Sequence, residues 1–328
     1  MLHRFYSYLL KNQVILALFL IAAGWLLLQT RGIITSIFIA YIINAALLPV
    51  VKYLRNKKVP HFFAVLIPYI GIAIVVFLII FPLVPFLIDQ VKALLGGLPS
   101  YIKQAADVSG LTVDATQIQS YVTREVNSIG SNAFSVTSKV FGGLFSTLTV
   151  LVVSFYLILY HERFKENIAH LFHKNDRERV LSTLSLIDEK LGAWLTGQVL
   201  LSLFIGVITW AALSIIGFPY ALPLGILAGI LEIVPTIGPI LSAIPAIVVA
   251  LTVSPPLAII IALIYFGIQM IENNVLVPKI MQRAVGLNPV LVIVAVMIGA
   301  NLLGVLGALL AVPFVSFLIV LFNGLSEE

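Results

Sequence analysis

Two glutamates stand apart from the other acidic residues of this sequence. Glu232 separates two long stretches without Asp, Glu, Lys or Arg, residues 191–231 and 233–271, and Glu272 directly follows the second stretch. An ionised side chain in so apolar a setting costs about 2.5–3.5 kcal/mol on membrane-insertion scales, so it usually faces protein or water. These two carboxyl groups are therefore the first candidates for chemistry.

Glu232 precedes a break in any helix that contains it. It begins the run Glu232-Ile-Val-Pro235-Thr236-Ile-Gly238-Pro239, and a proline cannot continue the hydrogen-bond ladder of a helix. A carboxyl group beside the carbonyls freed there can coordinate Na⁺ or carry a proton. The five named residues are candidates for an ion or substrate pathway. The alternative is that Glu232 only hydrogen-bonds within the break and holds its shape.

Glu272 lies in a second polar group, which contains Gln269, Asn273 and Asn274. The i to i+4 spacing of a helix places Gln269 near Asn273, with Glu272 beside that stripe. Such a stripe suits the path of a polar solute or a cation. The alternative is hydrogen bonding between helices, worth about 0.6 kcal/mol for each bond.

The composition identifies the class of protein that must position these groups. Of 328 residues, 61% are hydrophobic and 10% are charged, whereas soluble proteins average about 25% charged residues. This excludes a cytosolic enzyme, a nucleic-acid-binding domain and a disordered chain. The net charge of +5 is not evidence for a nucleic-acid partner, because basic loops of membrane proteins give the same value. The sequence therefore predicts an all-α, polytopic membrane protein.

Catalytic and metal-binding motifs are missing from the sequence. It contains no cysteine, no Walker loop, no Gly-x-Ser-x-Gly and no His-Glu-x-x-His. We therefore expect no enzyme activity, no metal site and no cofactor, apart from Na⁺ or H⁺ that is transported or coupled to transport.

The stretches between charges predict the number of membrane segments. A helix needs about 20 residues to cross the hydrocarbon core. By this measure the first four charge-free stretches hold one crossing each and the last three hold two passes each. We therefore expect about eight membrane helical segments, roughly six full crossings plus two re-entrant or broken hairpins. The stretches are 12–30, 32–51, 59–88, 140–161, 191–231, 233–271 and 284–326.

The positions of Lys and Arg predict sidedness. Basic residues precede the first helix and follow the second, and a turn at Thr30-Arg31-Gly32 joins the two, so the N-terminus is expected in the cytoplasm. The C-terminus is expected there as well. The predicted parts are N-terminal membrane helices in 1–88, an extracytoplasmic helical segment in 89–139, a membrane helix in 140–160, a cytoplasmic charged helix with a solvated face in 161–190, and a transport half in 191–328.

The transport half contains two similar units, 191–253 and 257–322. Gly229 and Pro245 of the first unit correspond to Gly299 and Pro313 of the second, and Asn301 corresponds to the Glu232 region. Two matched units with broken helices indicate the inverted repeat of secondary transporters, in which the breaks meet near the bilayer midplane. Asn301 is therefore the last candidate for the pathway.

Four runs of this half resemble the signature of the AI-2E (autoinducer-2 exporter) family of transporters. They are Gly217 to Pro239, Ile271 to Lys279, Val285-Gly286-Leu287-Asn288-Pro289, and Gly304 to Pro313. Many family members have Asn or another residue in place of Glu232, and often His in place of Asn288. The resemblance implies a homo-oligomeric secondary transporter, with a pentamer as the expected assembly, in the cytoplasmic membrane. It also implies an elevator-like mechanism and either autoinducer-2 export or Na⁺(Li⁺)/H⁺ antiport.

Three hypotheses follow. The first is an exporter of a small polar solute such as autoinducer-2, coupled to H⁺ or Na⁺. The second is a Na⁺(Li⁺)/H⁺ antiporter without an organic substrate. The third is a membrane scaffold or channel-like assembly without coupled transport.

Overall fold

The computed structural model describes residues 13–79, 81, 83, 85, 147–234, 237–281 and 288–326. Within these ranges every regular element is helical, which confirms the all-α prediction. Five helices are long and apolar enough to cross a membrane, or six if one bent pair counts as a span. The predicted external segment 89–139 and the candidates Pro235 and Thr236 lie outside the described residues.

The N-terminal part is built on one long helix, α1 (Gln13–Asn56). Its 44 residues span about 66 Å, and it runs unbroken through the predicted turn at Thr30-Arg31-Gly32. The predicted turn is wrong, and so is the hairpin of two crossings drawn from it. The hydroxyl of Thr30 donates to the carbonyl of Leu26 at 2.8 Å, and that of Thr35 donates to the carbonyl of Arg31 at 2.8 Å. A single glycine costs a helix only about 1 kcal/mol, which neighbouring apolar turns offset.

Among the residues that the structure describes, three shorter helices come next after α1. They are α2 (His61–Ile79), α3 (Thr147–Leu159) and α4 (His161–His170), and the chain bends by 76° between α3 and α4. Val51 of α1, Val65 of α2 and Ile158 of α3 form a common buried cluster. The hydroxyl groups of Tyr69 and Ser154 share a hydrogen bond of 2.7 Å beside it. These contacts join α1, α2 and α3 into one bundle.

Helix α5 (Arg177–Ile215) is the central element of the described chain. It packs against α1 and against both later hairpins. Leu191 and Trp194 of α5 meet Ile42 of α1 and Leu310 of the last helix in one buried cluster. The predicted single helix over 161–190 is therefore wrong, because α4, a short 3₁₀ turn and the start of α5 divide that range.

The remaining elements form two helical hairpins with a crossing helix between them. The crossing helix α8 (Pro255–Ile271) is capped by the preceding Ser254, whose hydroxyl accepts a hydrogen bond from the amide of Leu257. Helix α10 (Pro289–Leu303) is capped by the preceding Asn288, whose side chain accepts from the amide of Val290 at 2.9 Å. Asn288 thus acts as a helix cap. The elements are α6 (Ala221–Leu231), α7 (Ile237–Val253), α8 (Pro255–Ile271), a π-helical turn (Glu272–Leu276), α9 (Val277–Met281), α10 (Pro289–Leu303) and α11 (Val305–Ser326).

The arms of the two hairpins differ in length. Helices α6, α7 and α10 are too short to cross a bilayer alone, as expected for broken segments. Helix α11, with 22 residues, is long enough to cross, so the prediction of two short arms in the second unit is wrong for α11.

Candidate functional site: a buried carboxyl pair

The tip of the first hairpin is a tight turn that follows α6. The amide of Glu232 donates to the carbonyl of Ala228 at 3.0 Å, and the amide of Gly238 donates to the carbonyl of Val234 at 2.9 Å. A Cβ atom on Gly238 would lie 2.6 Å from the carbonyl carbon of Leu231 and 2.9 Å from the amide nitrogen of Glu232. Only glycine fits at this position, and its presence folds α7 back onto the end of α6.

Gln198 of α5 holds this tip in place. Its side chain is 2% exposed, and its Nε2 donates to the backbone carbonyl of Glu232 at 2.6 Å. A carbonyl left over at the end of a helix must find a donor when it is buried. Gln198 is not among the predicted site residues, because the local sequence does not indicate which backbone carbonyl its side-chain amide will reach.

Glycines bring α5 and α6 close together beside the tip. A Cβ atom on Gly225 would lie 2.8 Å from the carbonyl oxygen of Gly206, and one on Gly229 would lie 2.8 Å from that of Ser202. Small residues at this spacing let two membrane helices approach until their backbones touch. The approach brings Glu232 to the surface of α5 that carries Gln198.

Glu272 is positioned by a π-helical turn. The turn spans Glu272–Leu276 and follows α8, and the side chain of Asn274 donates to the carbonyl of Met270 at 2.8 Å. A π turn inserts a residue into the helical register and is frequent at functional sites. As a result Glu272 is buried, whereas Asn273 and Asn274 lie on the outer surface of the chain.

The two glutamates meet in the interior of the protein. Their side chains face each other within hydrogen-bonding reach, and they are 0% and 3% exposed. Both carboxyl oxygens of Glu232 and Oε2 of Glu272 are buried without a hydrogen-bond partner among the described residues. An apolar cluster lies about one turn before each glutamate. It contains Ala228 of α6 and Ile268 of α8, together with Leu201 and Ile205 of α5.

Two facing carboxylates in an apolar interior cannot both carry an uncompensated charge. Their repulsion and their loss of hydration each disfavour the doubly ionised state. A proton shared between the oxygens, or a small cation bound by both, removes this cost. The arrangement is therefore suited to bind one H⁺ or one monovalent metal ion.

A cleft of about 1000 Å³ lies on the same helix, α5. It runs between α1, α4, α5 and α9, and its lining reaches Gly197, the neighbour of Gln198, and Lys279, which follows the π turn. Charged side chains from Lys165 and Asp188 lie along its wall. The cleft thus extends towards the region of the carboxyl pair.

Comparison with known proteins identifies the family. The family described as AI-2E family transporter matches residues 14–327, nearly the whole chain. This chain belongs to the AI-2E transporter family. Its members are transporters, which confirms the expectation of a membrane transport protein and not an enzyme.

Three relatives of this AI-2E transporter illustrate the similarity. Two from Bacillus subtilis carry the name Putative transport protein. YrrI is 28% identical over 310 residues, covering 88% of this chain and 85% of its own, and YueF is 30% identical over 288 residues, covering 81% and 76%. The protein sll0060 of Synechocystis is 25% identical over 317 residues and covers 90% of each chain.

The candidate residues of the AI-2E transporter have different outcomes. Glu232, Gly238 and Pro239 lie together at the first hairpin tip, where the hydroxyl of Ser242 donates to the carbonyl of Pro239 at 2.9 Å. Glu272 joins them from the π turn. Gln269 is half-buried one turn before Glu272.

The asparagine candidates are not part of the carboxyl pair. Asn301 is exposed on the second hairpin, as are Asn273 and Asn274 on the π turn. The stripe predicted for Gln269 and Asn273 assumed α-helical spacing, and the π turn that follows Ile271 changes that register.

A second buried polar cluster was not predicted from the sequence. His161, Lys165 and Asp188 lie in the range that was predicted to be solvated, yet all three are buried in the AI-2E transporter. The available signal was weak: His161 ends one charge-free stretch, and Asp188 lies just before another. Their pairing depends on the fold of α4 against α1 and α5.

Proposed function

We propose that this AI-2E family member is a secondary active transporter that exports a small polar solute, with H⁺ or Na⁺ as the coupling ion. The coupling ion binds between Glu232 and Glu272. The single observation that supports this proposal is the buried, facing carboxyl pair without enough donors to satisfy it.

We assign the ion to the carboxyl pair and the solute to the cleft, because the two sites differ in size. The carboxyl pair is enclosed by protein, so a proton or a bare monovalent ion fits between the two groups and an organic molecule does not. The cleft of about 1000 Å³ has the volume of a small-molecule site. Its lining mixes charged residues such as Lys52 and Glu189 with aliphatic residues such as Leu200, which favours a polar solute of modest size.

The transport half, residues 191–328, is the proposed moving element. The arms of its first hairpin are too short to cross the bilayer, and the tip of that hairpin is joined to α5 by the hydrogen bond of Gln198. Movement of this half relative to the N-terminal bundle would expose the carboxyl pair to one side and then to the other, as in an elevator-like mechanism. The proposed setting is the cytoplasmic membrane, with both termini in the cytoplasm and a homo-oligomeric assembly, for which a pentamer is the expected form.

A Na⁺(Li⁺)/H⁺ antiporter is the second candidate. It is favoured by the pair itself, because two carboxyl groups that hold either a proton or a metal ion suffice for exchange without an organic solute. Autoinducer-2 is the first solute to test for the exporter, since the family is named after it.

The deciding experiment is a flux assay on purified protein in liposomes under an imposed pH gradient. Na⁺, Li⁺ and autoinducer-2 are tested side by side for the wild type, Glu232→Gln and the matched control Glu166→Gln, which alters an exposed glutamate of α4. Gradient-driven flux that is lost only in Glu232→Gln supports the proposal. Movement of autoinducer-2 indicates an exporter, and movement of Na⁺ or Li⁺ alone indicates an antiporter. Intact flux in Glu232→Gln would overturn it, and steady ohmic current without coupling would favour the channel-like alternative.

A further inference from the structure

A buried polar cluster lies where α4 meets α1 and α5, apart from the carboxyl pair. Asp188 is at its centre: its Oδ1 accepts the hydroxyl of Tyr41 at 2.6 Å, and its Oδ2 lies 3.1 Å from Nε2 of His161 and 3.3 Å from Nζ of Lys165. Asp188 precedes Gln198 by ten residues on α5, about 15 Å along the helix axis. The cluster therefore belongs to a different level of the molecule.

The second ring nitrogen of His161 has an unusual neighbour. Its Nδ1 lies 3.4 Å from Nδ2 of Asn44, and Asn44 is 0% exposed. The other side-chain atom of that amide, Oδ1, is buried without a hydrogen-bond partner among the described residues. An amide nitrogen can donate to Nδ1 only while that ring nitrogen carries no proton.

Rotation of the Asn44 amide by half a turn exchanges its oxygen and nitrogen without moving the backbone. After that rotation the unpartnered oxygen faces Nδ1 and accepts a hydrogen bond from it, provided that His161 carries a second proton. In both states Nε2 still donates to Asp188. The same side chains therefore satisfy the neutral and the doubly protonated ring.

The surrounding charges allow the ring to gain a proton. Asp188 is negative and Lys165 is positive, so the cluster is neutral with a neutral histidine and carries one positive charge after protonation. The adjoining cleft contributes four further charged groups, two of each sign: Lys52 of α1, Glu162 of α4, Glu189 of α5 and Lys279 of α9. These offset one another. His161 itself lines the cleft.

We propose that His161 is a proton-binding site filled through the cleft, and that Asn44 is the residue whose amide adapts to the proton. This site is independent of the carboxyl pair. His161 is the first residue of α4, directly after the 76° bend that follows α3. Proton binding there changes the contact between α4 and α1, two of the four helices that line the cleft.

The test is solid-state NMR of the full-length protein in liposomes, with labelled histidine and asparagine, over a pH series. One imidazole signal should change from singly to doubly protonated. That signal is assigned to His161 if it is absent in the His161→Gln variant. The side-chain amide signal of Asn44 should move with the same midpoint. A signal from His161 that stays in one protonation state across the series overturns the proposal.

A pair of matched variants examines the role of Asn44. Asn44→Leu removes the acceptor for the added proton, so proton affinity at His161 should fall about tenfold, the effect of roughly 1.4 kcal/mol. Asn273→Ala, which alters an exposed asparagine, should leave the midpoint unchanged. An unchanged midpoint in Asn44→Leu contradicts the proposal. If that variant does not fold, a wild-type amide signal that fails to follow His161 contradicts it equally.

Glu232→Gln separates this site from the proposed function. The midpoint of His161 should be the same in that variant, whether or not transport is lost. A shifted midpoint would show that the two sites are one coupled system and would overturn their independence.

Discussion

The two helical hairpins of the transport half have similar architecture and opposite character at their breaks. The first hairpin, α6–α7, opens over several residues after Leu231 and presents Glu232 to the interior. The second, α10–α11, is interrupted at the single residue Gly304, whose φ is +64°, a conformation that favours glycine. The stretch 284–326 that contains the second hairpin has no Asp, Glu, Lys or Arg.

Glycine has a different use in each hairpin. In the second, a Cβ atom on Gly299 would lie 2.7 Å from the carbonyl carbon of Gly307, so the two arms pack directly on each other. In the first, Gly238 packs on the end of α6 and leaves the carboxyl group of Glu232 free to face Glu272. Under the proposed function, the tip of the first hairpin contributes a carboxyl group to the ion site, whereas the second hairpin contributes packing against α5.

The largest expected effect comes from removing a carboxyl group of the first hairpin site. Glu232→Gln and Glu272→Gln should each lower gradient-driven flux by about tenfold or more, at least about 1.4 kcal/mol, because the bound ion loses a ligand. Asn301→Ala, at the corresponding place of the second hairpin, should change flux less than about twofold. Liposome flux assays measure all three, and equal losses at both hairpins would abolish the contrast.

Crowding the first tip should be the next largest effect. Gly238→Ala places a methyl group against the backbone of Leu231 and Glu232, which we expect to cost about 1–3 kcal/mol or more in the free energy of unfolding. The matched control is Gly267→Ala on α8, where no atom lies within 4 Å of the added Cβ. Thermal unfolding in detergent measures both variants. A Gly238→Ala variant as stable as the control would show that the tip is not closely packed.

Crowding of the second hairpin should lower the stability of the protein without changing the ion dependence of transport. Gly299→Ala pushes the arms apart and is expected to cost about 1–3 kcal/mol in the free energy of unfolding. In the folded fraction, the dependence of flux on Na⁺ and pH should remain that of the wild type. A changed ion dependence in this variant would assign the second hairpin a direct part in ion binding.

The last effect, expected to be no larger than that of either crowded glycine, comes from the hydrogen bond that links α5 to the first tip. Gln198→Leu leaves the carbonyl of Glu232 without its donor, a loss of about 1–3 kcal/mol in the free energy of unfolding. Ser202→Ala is the control on the same helix, since the buried hydroxyl of Ser202 has no hydrogen-bond partner among the described residues. Unfolding curves for the two variants that coincide would mean that Gln198 does not hold the tip.

The sequence marked the two carboxyl groups of the candidate site but not the contact between them. Glu232 and Glu272 were conspicuous because charge is costly in apolar stretches, and Pro235 marked the break beside Glu232. Their contact could not be derived, because it depends on the π turn at Glu272 and on the close packing of α5 and α6 through glycines. The local sequence pattern predicts neither the π turn nor this helix packing.

The failures have equally specific causes. Arg31 was read as a loop charge that separates two crossings, but α1 continues through it because no proline or second glycine interrupts the hydrogen bonds there. The charge pattern places His161 and Asp188 on a solvated face, but in the interior Asp188 pairs with Lys165 and lies within hydrogen-bonding distance of His161. Charge patterns predict burial poorly wherever charges of opposite sign pair across helices.

The most direct test of the carboxyl pair is to count protons at the site when a cation binds. Purified protein in lipid is titrated with Na⁺ or Li⁺ at constant pH while proton release and the infrared bands of carboxyl groups are recorded. The account predicts that the wild type releases a proton as the cation binds, with loss of a carboxylic acid band, and that Glu232→Gln and Glu272→Gln abolish both signals. Identical proton release and identical bands in the wild type and in both variants would contradict it.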